Sequence, residues 1–264
     1  MAKAVLLKTP AQIELMRQAN RIVAGALMML RQRVTPGVST WQLDAWAEEY
    51  AQAHGAQPAF KGYHGYPASL CVSINEQVVH GIPSKRVLLR DGDLVSFDFG
   101  VRYQGLFGDA ALTVAVGAVD GRRRALMQVT QEALYRGLAA ARAGNRVKDI
   151  SRAVQEHVEA RGFSVVRQFV GHGIGVNLHE GPEVPNFVGH ERSIRLQPGM
   201  VLAVEPMVNM GTHEVEVLAD GWTAVTCDRM PSAHFEHSVA VTENGPVVLS
   251  LMAGETLPAP LVGP

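Results

Sequence analysis

The 264-residue chain is long enough to bury one large core, and its 47% hydrophobic and 19% charged residues exclude a disordered chain. Its formal net charge of −1, from 24 basic and 25 acidic residues, argues against nucleic acid or a membrane surface as a partner. Two isolated cysteines, Cys71 and Cys227, exclude a disulfide scaffold, and the sequence shows neither a signal peptide nor an apolar run of about 18 residues. We therefore expect a cytoplasmic protein that recognises its partner through one site.

Four helices are predicted from their capping signals and from the helical spacing of apolar residues. Thr9-Pro10 starts the first, a capping box of Ser39 and Gln42 starts the second, and Asn145 is the predicted N-cap of the fourth. We interpret all four as scaffold. Their expected bounds are Pro10 to about Arg33, Ser39 to about His54, Asp120 to about Arg142 and Asn145 to about Ala160.

Residues 95–116 consist of two alternating apolar runs around a short polar turn, which is the pattern of a β-hairpin. With Tyr103 and Gln104 as a two-residue turn, Asp98 faces Asp109 directly across the hairpin. Two carboxylates in this arrangement repel each other and require a cation or a shared proton. We favour a divalent metal ion. A slipped register, with both acids in solvent, is the alternative.

Three histidines lie in turn-like or glycine-rich surroundings. His80 belongs to the turn VHGIP, near the end of an aromatic and glycine-rich stretch, residues 58–83, that suits a pocket wall. His172 is flanked by glycines that let the backbone approach another group closely. His179 follows seven residues later, too far for an H-E-x-x-H zinc motif. A surface position for His80 and a hydrogen-bonded core position for His172 remain open on this pattern alone.

A short internal repeat links the two parts of the chain. Residues 89–98 read LRDGDLVSFD, and 107 residues later the chain reads LQPGMVLAVE, with the same leucine, glycine, apolar spacing and final acid. The final acids are Asp98 and Glu205, and Glu236 is a further acid inside an apolar strand pattern. We infer a single domain, residues 1–264, built of two related halves at about 10–117 and about 120–250. A loose tail is expected after Ser250.

Together these residues form an oxygen-rich set with one nitrogen donor. Its members are Asp98, Asp109, Glu205, Glu236 and the glycine-flanked His172. Hard or borderline divalent ions prefer such donors, and two ions that share bridging carboxylates would neutralise the clustered negative charge. The pattern indicates a dinuclear metal site and metal-assisted hydrolysis, although it does not identify the bond that is cleaved.

In this order and in these contexts, the residues resemble the type I methionine aminopeptidases. The contexts are GHGIG at His172, EPM at Glu205 and FEHS at Glu236, together with NEQVVHGIP, YHGYP and DGW, and the similarity extends from the first helix to Ser250. The resemblance implies the α/β pita-bread fold with pseudo-twofold symmetry, in which two pairs of helices and a C-terminal segment cover a curved, mostly antiparallel sheet. It also implies a catalytic domain that removes the initiator methionine when the second residue is small.

The resemblance further implies how each ligand serves the metal site. Asp109 and Glu236 would bridge two divalent ions, which are cobalt, manganese, iron or zinc. Asp98 would chelate one ion, and His172 with Glu205 would complete the other. A water or hydroxide that bridges the ions would be the nucleophile.

Catalytic roles are implied for three residues. His179 would contact the peptide carbonyl or the tetrahedral intermediate, and His80 would lie near the substrate amide and assist proton movement. Glu205, beside the nucleophilic water, would accept its proton. The partners implied are the N-termini of nascent polypeptides, with the ribosome as a further candidate, and a monomer is expected.

The methionine side chain is expected in a pocket of aromatic and sulfur-containing residues. By the resemblance, its lining is Tyr63, Tyr66, Cys71 and Trp222, with Phe60 and Leu178 at its margins. The last two depart from the family pattern, because an aromatic residue commonly stands at the position of Leu178 and a smaller residue at that of Phe60. The exchange either conserves the pocket volume or alters the side chains that are accepted.

Two other functions compete with this interpretation. A proline-directed aminopeptidase or dipeptidase on the same fold would share the five ligands, but those enzymes usually carry an extra N-terminal domain. A non-catalytic binding module on this fold would lack at least one ligand, and the sequence lacks none. Cleavage of Met-Ala-Ser compared with an Xaa-Pro peptide separates the first alternative from the aminopeptidase.

Overall fold

The computed structural model describes residues 5–190, 193–258 and 261. These residues contain four α-helices: α1 (Pro10–Arg33), α2 (Thr40–Ala53), α3 (Gly121–Ala140) and α4 (Val147–Glu159). They also contain fifteen strands: β1 (Gln57–Pro58), β2 (Cys71–Ile74), β3 (Gln77–Val79), β4 (Leu94–Tyr103), β5 (Leu106–Ala115), β6 (Ser164–Val165), β7 (Gly171–Gly173), β8 (Glu180–Val184), β9 (Val201–Val204), β10 (Met207–Asn209), β11 (Val215–Val217), β12 (Ala224–Thr226), β13 (Ser232–His234), β14 (Glu236–Thr242) and β15 (Gly245–Val248).

Nine of these strands form one curled sheet, and all of its strand pairs are antiparallel. Its order is β1-β4-β5-β14-β9-β7-β8, with β15 added to β14 and β2 added to β4. Two smaller sheets, β13-β10-β6 and β11-β12-β3, lie against it. The predicted α/β fold with a mostly antiparallel sheet is confirmed.

The helices cover the sheet as two pairs. α1 packs against α2 and over β4 and β5, whereas α3 packs against α4 and over strands that include β10 and β13. Phe97 and Phe99 of β4 are fully buried in the core beneath the helices, so the side chain of the intervening Asp98 projects from the opposite face of the sheet. Among the described residues, no helix has both the length and the apolar character that a membrane crossing requires.

The predicted capping signals are confirmed for α1 and α2 but are wrong for α4. The side chains of Thr9 and Ser39 each accept a hydrogen bond from the backbone N–H three residues on, at 3.3 and 3.2 Å. The N-cap of α4 is Arg146, not Asn145. The Asn145 amide instead donates to the carbonyl oxygen of Ala140, 3.0 Å away, and so satisfies the last turn of α3.

The β4–β5 hairpin turns one residue later than predicted. Tyr103 pairs with Leu106, so the two turn residues are Gln104 and Gly105. Both have positive φ angles, of +48° and +87°. Two consecutive positive φ angles match the right-handed twist of a hairpin, and glycine adopts such an angle without steric cost. The Gln-Gly pair, not Tyr-Gln, therefore makes the turn.

This later turn changes the partner of each aspartate by two residues. Asp98 lies opposite Ala111 and Asp109 lies opposite Gly100, so the predicted direct opposition of the two acids is wrong. Side chains alternate between faces, and a shift by an even number keeps the face unchanged. Both carboxylates therefore leave the same face as diagonal neighbours. The slipped register that exposes both acids is also wrong, because Asp109 is buried.

The backbone arrangement around the two repeat segments recurs at the spacing of the sequence repeat. The Gly37 N–H donates to the Leu89 carbonyl at 2.8 Å, and 107 residues later the Gly144 N–H donates to the Leu196 carbonyl at 3.0 Å. Both segments then turn at a glycine in the left-handed region before the strand begins. These glycines are Gly92 and Gly199, each with a φ of +91°.

The expected loose tail after Ser250 is wrong for residues 251–258. The hydroxyl of Tyr135 on α3 donates to Glu255 Oε1 at 2.6 Å, and the Nε2 atom of His237 on β14 lies 2.9 Å from the same oxygen. His237 Nδ1 lies 2.9 Å from Ser250 Oγ. The C-terminal segment is therefore held against α3 and the helix side of β14, as a covering element of the fold.

Candidate metal centre and active site

One cavity of about 340 Å³ brings together every residue that the sequence assigned to a site. Its wall combines carboxylates and imidazoles with aromatic, sulfur-containing and aliphatic side chains. The predicted residues in this wall are Phe60, Tyr63, Tyr66, Cys71, His80, Asp98, Asp109, His172, Leu178, His179, Glu205, Trp222 and Glu236. Residues from most of the chain length therefore meet in one place.

Five neighbouring strands of the sheet each supply one candidate ligand. The sheet order β4-β5-β14-β9-β7 places these strands side by side. Asp98 lies on β4, Asp109 on β5, Glu236 at the start of β14, Glu205 directly after β9 and His172 on β7. The sheet thus brings residues that are distant in the sequence together as one row of donors.

The donor atoms come close enough to share a cation. One atom from each of Asp109, His172 and Glu236 lies within 4.8 Å of the other two. His172 Nε2 also lies 3.5 Å from Glu205 Oε1. The Nδ1 atom of His172 lies 3.0 Å from the Gly173 carbonyl oxygen, which can only accept a hydrogen bond, so Nδ1 carries the proton. In the neutral ring, Nε2 then presents its lone pair to the carboxylates, as a metal ligand requires.

The electrostatics of the carboxylates fit a cation in the same place. Asp98 Oδ1, Asp109 Oδ1 and Glu236 Oε1 are buried and accept no hydrogen bond from the described residues. Burial raises the pKa of Asp98 to about 7. Burial and the neighbouring carboxylates raise the pKa values of Asp109, Glu205 and Glu236 well above the usual range. Bound divalent ions would remove both the repulsion and the missing hydrogen bonds.

Two further histidines border this cluster. His179 Nδ1 lies 2.8 Å from the Tyr63 hydroxyl oxygen, and the His179 ring centroid lies 4.2 Å from that of His172. His80 has a positive φ of +60° and packs edge-on against Phe169, with ring centroids 5.4 Å apart. Burial lowers the pKa of His80 to about 4, so this imidazole is neutral at pH 7. His80 is half-buried in the cavity wall, so the exposed surface position considered for it is wrong.

A buried ion pair braces the loop that carries His179. The Lys8 ammonium contacts the Glu180 carboxylate, and both side chains are almost completely buried, at 2% and 1% exposure. The other oxygen of Glu180 accepts the Asn177 N–H at 2.9 Å. A Cβ atom on Gly175 would overlap the Lys8 side chain, so only glycine leaves space for it. The segment before α1 thereby supports the loop between β7 and β8.

The apolar wall of the cavity holds the predicted pocket residues in contact. Tyr66 and Trp222 are 5.1 Å apart between ring centroids and meet edge to face. Cys71 lies opposite Asp98 across the β2–β4 pair, and burial with that neighbouring carboxylate raises the pKa of its thiol. Phe60 and Leu178, predicted at the margins, belong to the same buried apolar cluster. The wall therefore offers rings, a protonated thiol and one aliphatic side chain.

Six residues at or near the site were not found from the sequence. Met207, Val79, Val170, Phe169 and His64 also line the cavity, and His234 is buried beside Glu205. Met207 and Val79 carried a signal in their apolar strand patterns. His64 lies in a single 3-10 turn, residues 63–65, and Phe169 in an irregular segment, and neither has a periodicity that marks a side chain as facing a cavity.

The sequence is similar to those of known metallopeptidases. A model of "Metallopeptidase family M24" matches residues 14–243. The chain belongs to this family. It is 50% identical to the methionine aminopeptidase of Clostridium perfringens over 94% of this chain and 99% of that protein. It is 49% identical to methionine aminopeptidase 1 of Bacillus subtilis over 91% of this chain and 97% of that protein.

Two solved structures share the fold. The methionine aminopeptidase of Thermotoga maritima matches with a TM-score of 0.92 and 45% identity, over 94% of this chain and 99% of that one. The expected pita-bread fold is confirmed by this likeness. The prolidase of Pyrococcus furiosus matches with a TM-score of 0.75 and 24% identity, over 93% of this chain but only 65% of that one. At that identity the second match shows the fold alone.

Proposed function

We propose that this M24 protein is a type I methionine aminopeptidase, which removes the initiator methionine from new polypeptides when the second residue is small. The observation that carries the proposal is the cavity in which five candidate metal ligands meet an apolar pocket. The relatives named methionine aminopeptidase, at 50% and 49% identity, support it. A binding module without metal ligands is disfavoured, since all five ligand side chains line the cavity.

Two divalent ions are part of the proposal. Asp109 and Glu236 would bridge them, Asp98 would bind one, and His172 with Glu205 would bind the other. Four clustered carboxylates carry twice the charge of one divalent ion, which supports two ions. When bound, the ions would lower the pKa of a water molecule in the site and polarise the scissile carbonyl. Cobalt, manganese, iron and zinc all accept this oxygen-rich donor set.

His179 is proposed to donate a hydrogen bond to the scissile carbonyl oxygen. Burial raises the pKa of Tyr63, so its hydroxyl keeps its proton and can donate to His179 Nδ1. The proton of the neutral imidazole is then on Nε2. A fixed N–H that meets the oxygen as negative charge develops on it stabilises the transition state more than the bound substrate.

Glu205 and His80 are proposed to handle protons. Glu205 would accept the proton of the attacking water as a carboxylate beside it. His80, neutral at pH 7 because burial lowers its pKa to about 4, would accept a hydrogen bond from the substrate amide or relay its proton. Both residues line the same cavity.

The apolar wall is proposed as the pocket for the methionine side chain. Its thioether would lie on the edges of Tyr63, Tyr66 and Trp222 and against the Cys71 thiol, contacts that favour sulfur. Phe60 and Leu178 would close the end of the pocket, and both are buried there. We therefore propose that this pair conserves the pocket volume.

The remaining features of the proposal concern the whole molecule. The recurring backbone arrangement at a spacing of 107 residues supports one catalytic domain built of two related halves. We further propose a cytoplasmic monomer that acts on nascent chains, with ribosome docking as a further possibility, since initiator methionine is exposed there first. Sedimentation of the purified protein alone tests whether it is a monomer, and sedimentation with ribosomes tests whether it docks to them.

The decisive experiment is a steady-state assay on the metal-depleted protein, titrated in turn with Co²⁺, Mn²⁺, Fe²⁺ and Zn²⁺. Met-Ala-Ser, Leu-Ala-Ser, Met-Leu-Ser and an Xaa-Pro peptide are the substrates. We expect metal-dependent release of methionine from Met-Ala-Ser and little turnover of the other three. Preferential cleavage of the Xaa-Pro peptide would instead assign proline-directed activity. No turnover of any peptide with any metal would favour the non-catalytic binding module.

A further inference from the structure

His234 is a buried histidine for which the proposed chemistry has no role. It is the last residue of β13, lies opposite Met207 across the β10–β13 pair, and precedes Glu236 by two positions. The residue is only 1% exposed, and neither ring nitrogen has a hydrogen-bond partner among the described residues. A desolvated polar ring without a partner destabilises a fold, so the position calls for a compensating function.

The backbone of His234 is held on both sides by one hydroxyl group. The Thr113 hydroxyl on β5 donates to the His234 carbonyl oxygen at 2.8 Å and accepts the His234 N–H at 2.9 Å. Because Thr113 uses its single proton on the carbonyl, the Ser96 hydroxyl, 2.8 Å away on β4, must donate to Thr113. The strands that carry Asp98 and Asp109 thus fix the backbone from which the His234 ring projects.

The ring points at one oxygen of a candidate metal ligand. His234 Nε2 lies 3.7 Å from Glu205 Oε2, while the other oxygen, Oε1, lies 3.5 Å from His172 Nε2. The backbone carbonyl of Glu205 accepts a hydrogen bond from the buried Asn186 amide at 3.0 Å. Glu205 therefore has a fixed backbone and one imidazole beside each carboxylate oxygen.

We propose that His234 is a positioning residue for the metal centre: its Nε2–H donates to Glu205 Oε2 and turns Oε1 toward the ion shared with His172. This inference rests on the proposed function, because it requires Glu205 to bind a metal ion. Its place, with Nε2 3.7 Å from Glu205 Oε2 and behind the ligand, is that of an outer partner whose hydrogen bond would form when Glu205 binds the ion. His234 itself is not among the residues that line the cavity, so it is not a ligand.

The test uses the position of one ring nitrogen. The amide nitrogen of glutamine reaches about as far as Nε2 of histidine, whereas that of asparagine reaches only as far as Nδ1. We therefore compare His234→Gln with His234→Asn and His234→Leu in the full-length protein. The matched control is His157→Leu, because His157 is also a buried histidine beside a glutamate, with Nε2 3.0 Å from Glu132 Oε2, but lies on α4.

Binding of Co²⁺ to the metal-depleted proteins is followed by titration calorimetry and by the visible absorption of bound Co²⁺. H234N and H234L are expected to weaken the affinity of one Co²⁺ about 10- to 100-fold, the usual cost of losing an outer-sphere partner. Their Co²⁺ absorption bands should also shift. H234Q should restore both the affinity and the spectrum, and H157L should leave both unchanged.

The outcomes separate this inference from the function on which it rests. The positioning role would be overturned if H234N bound Co²⁺ as tightly as the wild type, or if H234Q bound Co²⁺ as weakly as H234N. In either case the hydrogen bond from Nε2 would not affect metal binding. A wild-type protein that binds no Co²⁺ would instead overturn the proposed metal centre. Should H234L fail to fold by circular dichroism, the comparison of H234Q with H234N still decides, since both keep a polar amide in the site.

Discussion

Asp98 and Asp109 lie on the same face of the β4–β5 hairpin as diagonal neighbours, because each is two residues along its strand from the residue opposite the other. This offset keeps both carboxylates at the cavity while it leaves the small residues Ala111 and Gly100 directly across from them. A side chain on Gly100 would meet both Phe60 and Asp109, so this glycine provides space for ligand and pocket together. The hairpin thus concentrates negative charge that only a cation can stabilise without protonation.

Removing one of these charges should stabilise the metal-free protein while it abolishes activity. For Asp109→Asn we expect kcat/KM on Met-Ala-Ser to fall by at least about 10³-fold, since a proposed ligand of the metal centre would be lost and such a centre contributes several kcal/mol to transition-state stabilisation. The Tm of the metal-free variant should rise by about 2–4 °C for each kcal/mol of repulsion relieved. Glu14→Gln, at an exposed acid on α1, serves as the control and should change neither quantity. A lower Tm for the metal-free D109N protein would contradict the electrostatic argument.

The metal-free protein should also lose stability as the pH rises, because of Asp98. Its pKa is about 7 when folded and near the ordinary value for aspartate when unfolded, so between these values the folded state holds a proton that the unfolded state has released. The free energy of unfolding then falls with rising pH, by at most about 1.4 kcal/mol per pH unit for this one group. Urea titrations of the wild type and of Asp98→Asn from pH 5 to pH 8 isolate the contribution of Asp98 to the free energy of unfolding. The stability advantage of D98N should grow with pH, and a constant difference would refute the shifted pKa.

The sequence predicted which residues are candidate ligands more accurately than it predicted how those residues are arranged. The acids at positions 98, 109, 205 and 236 stand out because each interrupts an apolar strand pattern, which is a local signal. The hairpin register depended on whether Tyr103-Gln104 or Gln104-Gly105 makes the turn, and the apolar pattern alone does not distinguish these, since a shift by two residues leaves the faces unchanged.

Features that depend on distant partners were missed. Glu255 appeared to belong to a loose tail, because nothing near it in the sequence reveals Tyr135 and His237 as its partners. His234 had no signal of its own either, since its significance comes from Glu205, twenty-nine residues earlier. The contact between His234 and Glu205 becomes visible only when the sheet places β13 beside β10.

The hydroxyl of Tyr63 should matter to catalysis although it need not touch the substrate. Tyr63→Phe removes the hydrogen bond to His179 Nδ1, so the imidazole loses its preferred proton position and orientation. We expect kcat on Met-Ala-Ser to fall about 10-fold or more, within the range for a misplaced hydrogen-bond donor, while Co²⁺ affinity is unchanged. Tyr103→Phe, at the end of the hairpin, is the control for loss of a tyrosine hydroxyl. Equal kcat in Y63F and wild type would remove Tyr63 from the mechanism.

Shortening Leu178 should relax the selection of the first residue. Leu178 is 2% exposed and packs in the apolar cluster with Phe60 and Cys71, so Leu178→Ala enlarges the proposed methionine pocket. We expect the ratio of kcat/KM for Met-Ala-Ser to that for Phe-Ala-Ser to drop about 10-fold, a typical effect of a few methylene contacts. Leu138→Ala, at a fully buried position of α3, should lose similar stability but keep the ratio. An unchanged ratio in L178A would place the side-chain pocket elsewhere.

The buried Lys8–Glu180 pair should be critical to the loop that carries His179. Lys8→Met leaves the Glu180 carboxylate desolvated without its partner, which we expect to cost about 3–5 kcal/mol of unfolding free energy. The double variant Lys8→Met with Glu180→Leu should recover most of this loss, because the stranded charge is gone. Lys61→Met, which breaks the half-exposed pair with Glu48, should cost less than about 1 kcal/mol. Urea unfolding measures all three variants, and hydrogen exchange at residues 173–180 reports the loop itself. A cost for K8M no larger than that for K61M, with unchanged exchange in the loop, would show that the pair does not brace the site.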